Sequence, residues 1–514
     1  MGSSTGRPFW DSLPPEIRLW VLRCVVFEHG RIETTMTLEF GKASSLATVS
    51  REWQCFFEKE TFRRMALTSS DLTTFSRVVR GKNAIRLNYI NRIWLNVKLT
   101  KYTQRIYDRP ESATNIGQNN RIFSCAIVTL LNALSSWEGI HGGLTLEIHA
   151  HSPGDHKYHP WVLELHGDYP LRFEEDLENC EGLLTYRRKK LEEIGIGTRP
   201  PDISVLREMA KRLRGTPLKI QPWPLKKRKF CKNPVQKLPS TPIVKGLVLR
   251  QAFFRGIALT SLATLFRESF VALESFLLER WTGITEEVES AFMDGLRTDL
   301  MPSLPASVQR FAFEHNMRFD SCESWPNESI IESQARLMAA SCHRFTEFRP
   351  PRQFGYDEFL KQLVRGGRNK GSKLQHLILR VHWIMPTEKQ SWVTGILVRA
   401  GRAAKNLPRL RILEMWNGGF GFGYLFRYTQ DDSRATITWR FGGTDFVLEP
   451  KVLRTWARVA SGRTLIVESI PFTAEDAGGS AFNHMTPVPH LALRRLAFDP
   501  ISEAQVAAKM GLGR

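Results

Sequence analysis

The sequence predicts a mixed α/β (α+β) chain, with a short helical module at the N-terminus followed by an irregular strand–helix repeat domain with insertions. Three observations predict it. Apolar residues near the start recur at helical spacing, without the alternation of a strand. From residue 243 onwards a short motif with apolar residues at its first, fourth and sixth positions keeps returning. Stretches of helical periodicity separate its copies, the rhythm of a strand–loop–helix unit stacked on its neighbours.

The first helix follows Phe9-Trp10-Asp11-Ser12-Leu13-Pro14-Pro15-Glu16-Ile17. Ser12 is placed to cap it. Pro14 and Pro15 lack only amides that a first turn leaves unbonded, and Glu16 suits the positive end of the helix dipole. Ile17, Trp20, Val21 and Cys24 then fall on one face. A second helix is expected from Ser44 or Ser45, stacking Leu46, Val49, Trp53 and Phe56 or Phe57. Both stripes are too apolar to stand in water alone, so they pack on each other or on a partner.

This arrangement resembles an F-box, a compact helical module that docks onto the Skp adaptor of Skp–cullin–F-box ubiquitin ligases. The matching residues are Leu13-Pro14 and Pro15-Glu16-Ile17 at the head, then Leu46, Val49, Ser50, Trp53 and Phe62-Arg63. The resemblance covers residues 9–67. It departs from the family pattern in one place: the usual short leucine-aspartate-proline turn is replaced by a longer stretch from Phe27 to Lys42. The resemblance implies that Leu13, Pro14, Pro15, Ile17, Leu46, Val49 and Trp53 meet a Skp-type adaptor carrying a cullin. The rest of the chain would then hold a protein substrate, supplying proximity and no chemistry of its own.

Residues 68–194 read as the mixed α/β start of the receptor domain. A short helix after Ser70-Asp71 carries Leu72, Phe75 and Val79, and Ile93, Leu95, Val97 and Leu99 alternate as a strand. A helix from about Arg121 stacks Phe123, Ile127, Leu130 and Leu134, and Gly142-Gly143 breaks it before Leu144, Leu146 and Ile148 alternate again. His149, His151, His156, His159 and His166 crowd the next segment with Asp155. Imidazoles and a carboxylate can bind zinc, but the solvated face of a hairpin, with Trp161, Leu163 and Leu165 on its second strand, explains the cluster more simply. Residues 195–242 are rich in proline and in basic runs, and read as a linker or large loop.

The repeat itself, over 243–514, appears as Val244-Leu247-Leu249, Leu273-Phe276-Leu278, Val308-Phe311-Phe313, Leu374-Leu377-Leu379 and Leu410-Leu413-Met415, with a weaker copy at Phe345-Phe348. These begin 29 to 37 residues apart. Ile90-Ile93-Leu95 and Leu493-Leu496-Phe498 have the same form. Helical stretches run from Ser261 to Phe270, Glu286 to Leu300, Ser329 to Cys342 and Lys389 to Ala404. The pattern resembles a degenerate leucine-rich repeat: the asparagine expected three places on is present only as Asn316. An ordinary α/β domain is the alternative. Tyr424 to Arg427 and Ala435 to Phe441 interrupt the rhythm as a hairpin turned at Asp431-Asp432. If the motifs are strands of one sheet, positions four and six face the core and position five (Val248, Ala312, Ile378, Glu414) the other side.

Composition narrows the function. The chain is 42% hydrophobic and 24% charged, as globular proteins are, and has no apolar run that would span a membrane, so no membrane partner is expected. Seven scattered cysteines without a Cys-x-x-Cys pair indicate neither a disulfide framework nor a cysteine zinc site. The formal net charge of +20 asks for an acidic partner. Lys211, Arg212 and Arg214, then Lys226, Lys227, Arg228 and Lys229, resemble the two halves of a bipartite nuclear import signal, which needs exposed cations. Gly366 to Lys373 lacks the lysine order of a phosphate loop, and Gly418 to Gly423 lacks the helix that a dinucleotide fingerprint needs, so these read as a basic turn and a flexible loop. No catalytic residue, metal ligand or cofactor site is assigned. The expectation is a nuclear or cytoplasmic ligase adaptor; the alternative is a basic nuclear protein that binds nucleic acid.

Overall fold

The computed structural model describes residues 9–31, 45–137, 139, 142–194, 211–221, 237–281, 286–316, 328–351, 355–381, 387–443, 446–478 and 481–510. Twelve strands form one sheet in the order of the chain: β1 (Arg64–Thr68), β2 (Arg92–Lys98), β3 (Leu144–His151), β4 (Val244–Leu249), β5 (Ser275–Trp281), β6 (Arg310–Asn316), β7 (Glu347–Arg349), β8 (His376–Arg380), β9 (Ile412–Gly419), β10 (Phe422–Gln430), β11 (Arg434–Gly442) and β12 (Thr464–Pro471). Neighbours are parallel except at β9–β10 and β10–β11, which are antiparallel.

The repeating motif sets this order. Its fourth positions lie side by side in register: Met65 by Ile93, Ile93 by Leu146, Leu146 by Leu247, Leu247 by Phe276, Phe276 by Phe311, and Phe311 by Phe348. Leu377 and Leu413 continue the ladder. These residues and those at position six share one core with the connecting helices. The helices are α1 (Pro15–Arg31), α2 (Arg51–Arg63), α3 (Leu72–Val78), α4 (Ala113–Leu134), α5 (Cys180–Glu193), α6 (Leu259–Glu268), α7 (Glu286–Gly295), α8 (Glu328–Ser341), α9 (Tyr356–Arg365), α10 (Gln390–Lys405), α11 (Pro450–Val459) and α12 (Pro500–Lys509). Leu72 and Phe75 of α3, Phe123 and Ile127 of α4, Leu262 of α6, Met293 of α7, Met338 of α8, Phe359 of α9, Leu397 of α10 and Trp456 of α11 all enter that core, so these helices cover a single face. Most crossovers lie on this side; the β3–β4 connection also runs over the other face, where α5 packs against α12.

The opposite face is covered as well. After β12 the chain turns back, and Phe472, Met485, Val488, Leu491, Leu493, Leu496 and Phe498 cluster with Ala312, Ile378, Trp416 and Leu425 of the sheet. Leu493-Leu496-Phe498 is therefore not the strand its spacing suggests. It is a turn with a four-residue helix, Arg494–Ala497, that uses its apolar residues to seal the sheet. Because of this cover Val248, Ala312, Ile378 and Glu414 at position five are buried along with positions four and six.

β3 and β4, on either side of the segment 195–242, are paired neighbours, so the parts before and after it share a sheet. Two further expectations are corrected. No second strand follows β3 as a hairpin: Leu163–Leu165 is a short 3-10 turn, and Glu147, His149 and His159 are buried. The glycines from Gly418 to Gly423 form a tight connection between paired strands, with Gly419 opposite Phe422. Gly421 has φ +80, a conformation that suits glycine, and Phe420 is exposed at the tip. The hairpin at Asp431 is present: Asp431 Oδ1 accepts from the amides of Ser433 (2.8 Å) and Arg434 (2.7 Å).

Candidate functional site

The N-terminal module is built from aromatic residues and one carboxylate. Ser50 caps α2, accepting from the Trp53 amide at 3.3 Å, so this helix begins at Arg51 and not near Ser45. Ser45 and Leu46 are helical, and a turn over residues 47–49, with the Thr48 amide bonded to the Ser45 carbonyl, separates them from α2. The Pro14 carbonyl receives the Arg18 amide at 3.0 Å, which starts α1 at Pro15 and leaves Ser12 in a separate short helix, Phe9–Ser12. Glu52 ties these pieces together: it accepts from Trp10 Nε1 (3.0 Å) and pairs with Arg18 (2.9 Å). The Trp53 ring lies 5.6 Å from Trp10 and 5.5 Å from Phe57, centroid to centroid. α2 then runs directly into β1, and its Glu58 pairs with Arg86 at 2.6 Å.

The residues singled out by the F-box resemblance divide into two groups. Trp53 is half-buried in the aromatic stack, and Leu13 and Leu46 are partly covered. Pro14, Pro15, Ile17 and Val49 are exposed. Ile17 is 46% exposed and Val49 61%. Leu19 and Trp20, at 39% and 65%, are exposed on α1 as well, whereas Leu22 is buried. The stripe expected to enter a core is thus turned largely outwards. The insertion from Phe27 to Lys42 lies mostly outside the described residues.

The second feature is the polar face of the sheet. Here arginines and carboxylates from adjacent strands neutralise each other and anchor the returning chain. Glu147 pairs with Arg92 (2.9 Å) and Arg250 (2.7 Å), and Arg250 also pairs with Asp499, the cap of α12. Ser502 donates to Glu279 at 2.8 Å. Glu414, fully buried, accepts from Arg427 Nε (2.6 Å) and from the amides of Ala492 (2.9 Å) and Leu493 (2.8 Å). Arg349 pairs with Glu314, and Arg440 with Asp476 at 3.0 Å. Buried charge survives only when paired in this way.

Next to the returning chain, where it meets β1–β4, the polar face leaves a cavity of about 290 Å³. Trp94, His149, His151, Tyr169, Arg172 and Arg250 are among its walls. The Trp94 and His149 rings stack 5.9 Å apart, and the Arg172 guanidinium lies over Trp94 at 5.0 Å. His151 Nδ1 is 2.8 Å from Asn96 Oδ1. Burial drives the His149 pKa down to about 3 and that of His151 to about 4, so both rings stay neutral. Arg250 Nη2, also buried, has no hydrogen-bond partner. The cavity offers cations and aromatic faces, with no nucleophile beside a base. Among the described residues no group of three histidine, cysteine or acidic side chains is placed to hold a metal ion, and no helix is long and apolar enough to cross a membrane.

The basic runs fare differently from the expectation. Arg212 and Arg214 are buried, not displayed: Arg212 lies over the Tyr102 ring at 5.0 Å and Arg214 over Trp281 at 5.7 Å. The intervening Leu213 is also buried and packs with Val162 and Leu165, which pulls the run, including Lys211, onto the body of the protein. Lys226, Lys227, Arg228 and Lys229 lie outside the described residues.

Residues 303–498 match a family of unknown function (DUF6546). No curated protein matches the chain. The matched stretch runs from just before β6 to Phe498, so it holds the last seven strands together with the returning segment that covers them. It does not include the N-terminal helices. Sequence reasoning missed the cavity, because its walls come from residues up to Gln505, and missed the role of Glu414, whose partners are 78 and 79 residues away. The lone charge at position five among apolar residues was the one available signal.

Proposed function

We propose that this protein is the substrate-recruiting subunit of a Skp–cullin–F-box-type ubiquitin ligase. The observation that carries the reading is the outward-facing apolar set of Ile17, Leu19 and Trp20 on α1 and Val49 in the turn before α2, beside helices that already have their own aromatic packing. Exposed apolar side chains of this kind mark protein interfaces, and tryptophan is enriched among their anchors. Pro14 and Pro15 are exposed beside this set and fix the entry of α1. The residues that carry the resemblance therefore act in two ways: Ile17, Val49, Pro14 and Pro15 touch the adaptor, while Trp53, Leu13 and Leu46 hold the helices in place.

The strand–helix domain behind this module receives a protein substrate. The cavity left on its polar face, with Trp94 and Arg172 in its wall, has a cation and a ring to hold an acidic side chain. No bond is made or broken by this chain; it brings a substrate near the transferred ubiquitin, in the nucleus or the cytoplasm. Affinity purification of the tagged full chain followed by mass spectrometry tests the reading. Recovery of a Skp-type adaptor with a cullin is expected, and recovery of nucleic-acid-associated proteins without either component contradicts it.

A further inference from the structure

The last strand of the sheet is left open. β12 pairs with β11 on one side and with no described strand on the other. All of its residues except Leu465 are exposed, including Ile466 (38%), Val467 (43%) and Ile470 (42%). The returning chain covers the polar face of earlier strands and leaves this edge bare. Natural proteins blunt such edges with charged side chains, lysine above all, with proline or with a bulge. Residues 464–470 contain no lysine and no proline, Glu468 is their one charge, and the pairing with β11 is regular throughout.

The hydrogen bonds show which amides are available. The Thr464 amide donates to the Ser433 carbonyl (3.2 Å) and the Phe472 amide to the Phe441 carbonyl (2.7 Å). In a parallel ladder alternate residues bond to a given neighbour, so even-numbered residues face β11. The amides and carbonyls of Leu465, Val467 and Ser469 then point outwards. Every described strand is already in the sheet, so none of them is left to meet this edge.

We propose that the strand to meet it comes from a second copy of the chain, with the two β12 strands antiparallel about a two-fold axis at Val467. In that register Val467 faces Val467, and Leu465 faces Ser469 in hydrogen-bonded pairs, giving about six main-chain bonds. Ile466 faces Glu468 and Thr464 faces Ile470, so no like charges are opposed. Pro471, which has no amide to donate, falls at the margin opposite Arg463. Sliding the strands two residues further apart sets Glu468 against Glu468, which repels. The isologous contact joins two twelve-strand sheets into one and leaves the N-terminal modules at its far ends. This assembly goes beyond the adaptor reading and does not depend on it.

Light scattering after size exclusion of the full chain at micromolar concentration tests the proposal. The wild type is expected at about twice the 58.9 kDa of one chain. Val467→Lys sets two ammonium groups against each other at the axis, and should give the mass of one chain with an unchanged circular dichroism spectrum. Val467→Pro removes an outward amide without touching the bonds to β11, and should do the same should the lysine variant fail to fold. A monomeric wild type, or a dimer that survives a folded variant, overturns the proposal.

Discussion

Glu414 is the point at which the structure makes its most quantitative demand. Its carboxylate has no exposure to solvent and receives three donors: Arg427 Nε and the amides of Ala492 and Leu493. Alanine at this position leaves the Leu493 amide buried without an acceptor and Arg427, about one-fifth exposed, without its counter-charge. Breaking one side of a buried ion pair costs about 3–5 kcal/mol, and an orphaned buried amide about 1–3 kcal/mol. Ala492 and Arg427 regain some water, and the charge of Glu414 no longer has to be buried, so the lower part of the range applies. Glu414→Ala should destabilise the fold by about 3 kcal/mol. Glu414→Gln keeps one acceptor oxygen and should lose about half as much. Urea unfolding measures both. Limited proteolysis should cut the alanine variant first within residues 472–510, because those two amides hold the returning segment to β9. If Glu414→Ala stays within about 0.5 kcal/mol of the wild type, or the early cuts fall elsewhere, this account of the covered polar face is wrong.

Leu377→Ala should cost about 2–5 kcal/mol as a core cavity, and Ile378→Ala on the opposite face nearly as much, because the returning segment buries it; an Ile378 variant as stable as the wild type in urea would place that segment elsewhere. His149 and His151 have folded pKa values depressed below that of the unfolded chain, so the stability they confer is present above about pH 6.5 and is lost as pH falls towards 4. Asp155, its carboxyl pushed up to about 6 by burial, works in the opposite sense between pH 4 and 6. The sum is a net loss of about 2–3 kcal/mol between pH 7 and 5, which His149→Gln should reduce; unfolding midpoints that do not move would contradict the buried, neutral pair. Changing Lys226, Lys227, Arg228 and Lys229 to alanine in a tagged chain should move it from nucleus to cytoplasm, and an unchanged distribution would remove the import signal.

Apart from β1, inside the segment read as helical, and the exposed β12, neither of which was read as a strand, the strands were legible because apolar residues recur at alternate positions, and a period of two is imposed by any sheet with a buried face. Leu247, Phe276, Phe311, Leu377 and Leu413 each mark a real strand for that reason. Leu493-Leu496-Phe498 failed the same test because three apolar residues can as well seal a face as enter a ladder; only the partner surface decides. His149 and Glu147 were expected in water, and no local pattern shows that the chain returns after more than 300 residues to cover them. The burial of Arg212 and Arg214 was hidden likewise, since Tyr102 and Trp281 are distant in sequence. At the N-terminus, periodicity found α1 and α2 but could not say whether Ile17 and Trp20 face the chain or a partner.

That last question is also the most direct test of the adaptor reading. Binding of the purified full chain to a purified Skp-type adaptor can be measured by calorimetry, with Trp20→Ala/Val49→Asp as the comparison. The account predicts a one-to-one complex with the wild type. The double variant, with unchanged circular dichroism, should bind about 100-fold more weakly, equivalent to the loss of an interface anchor. A folded wild-type chain that gives no heat of binding, or a variant that binds as tightly, would contradict the claim that these helices are the docking module of a ubiquitin ligase subunit.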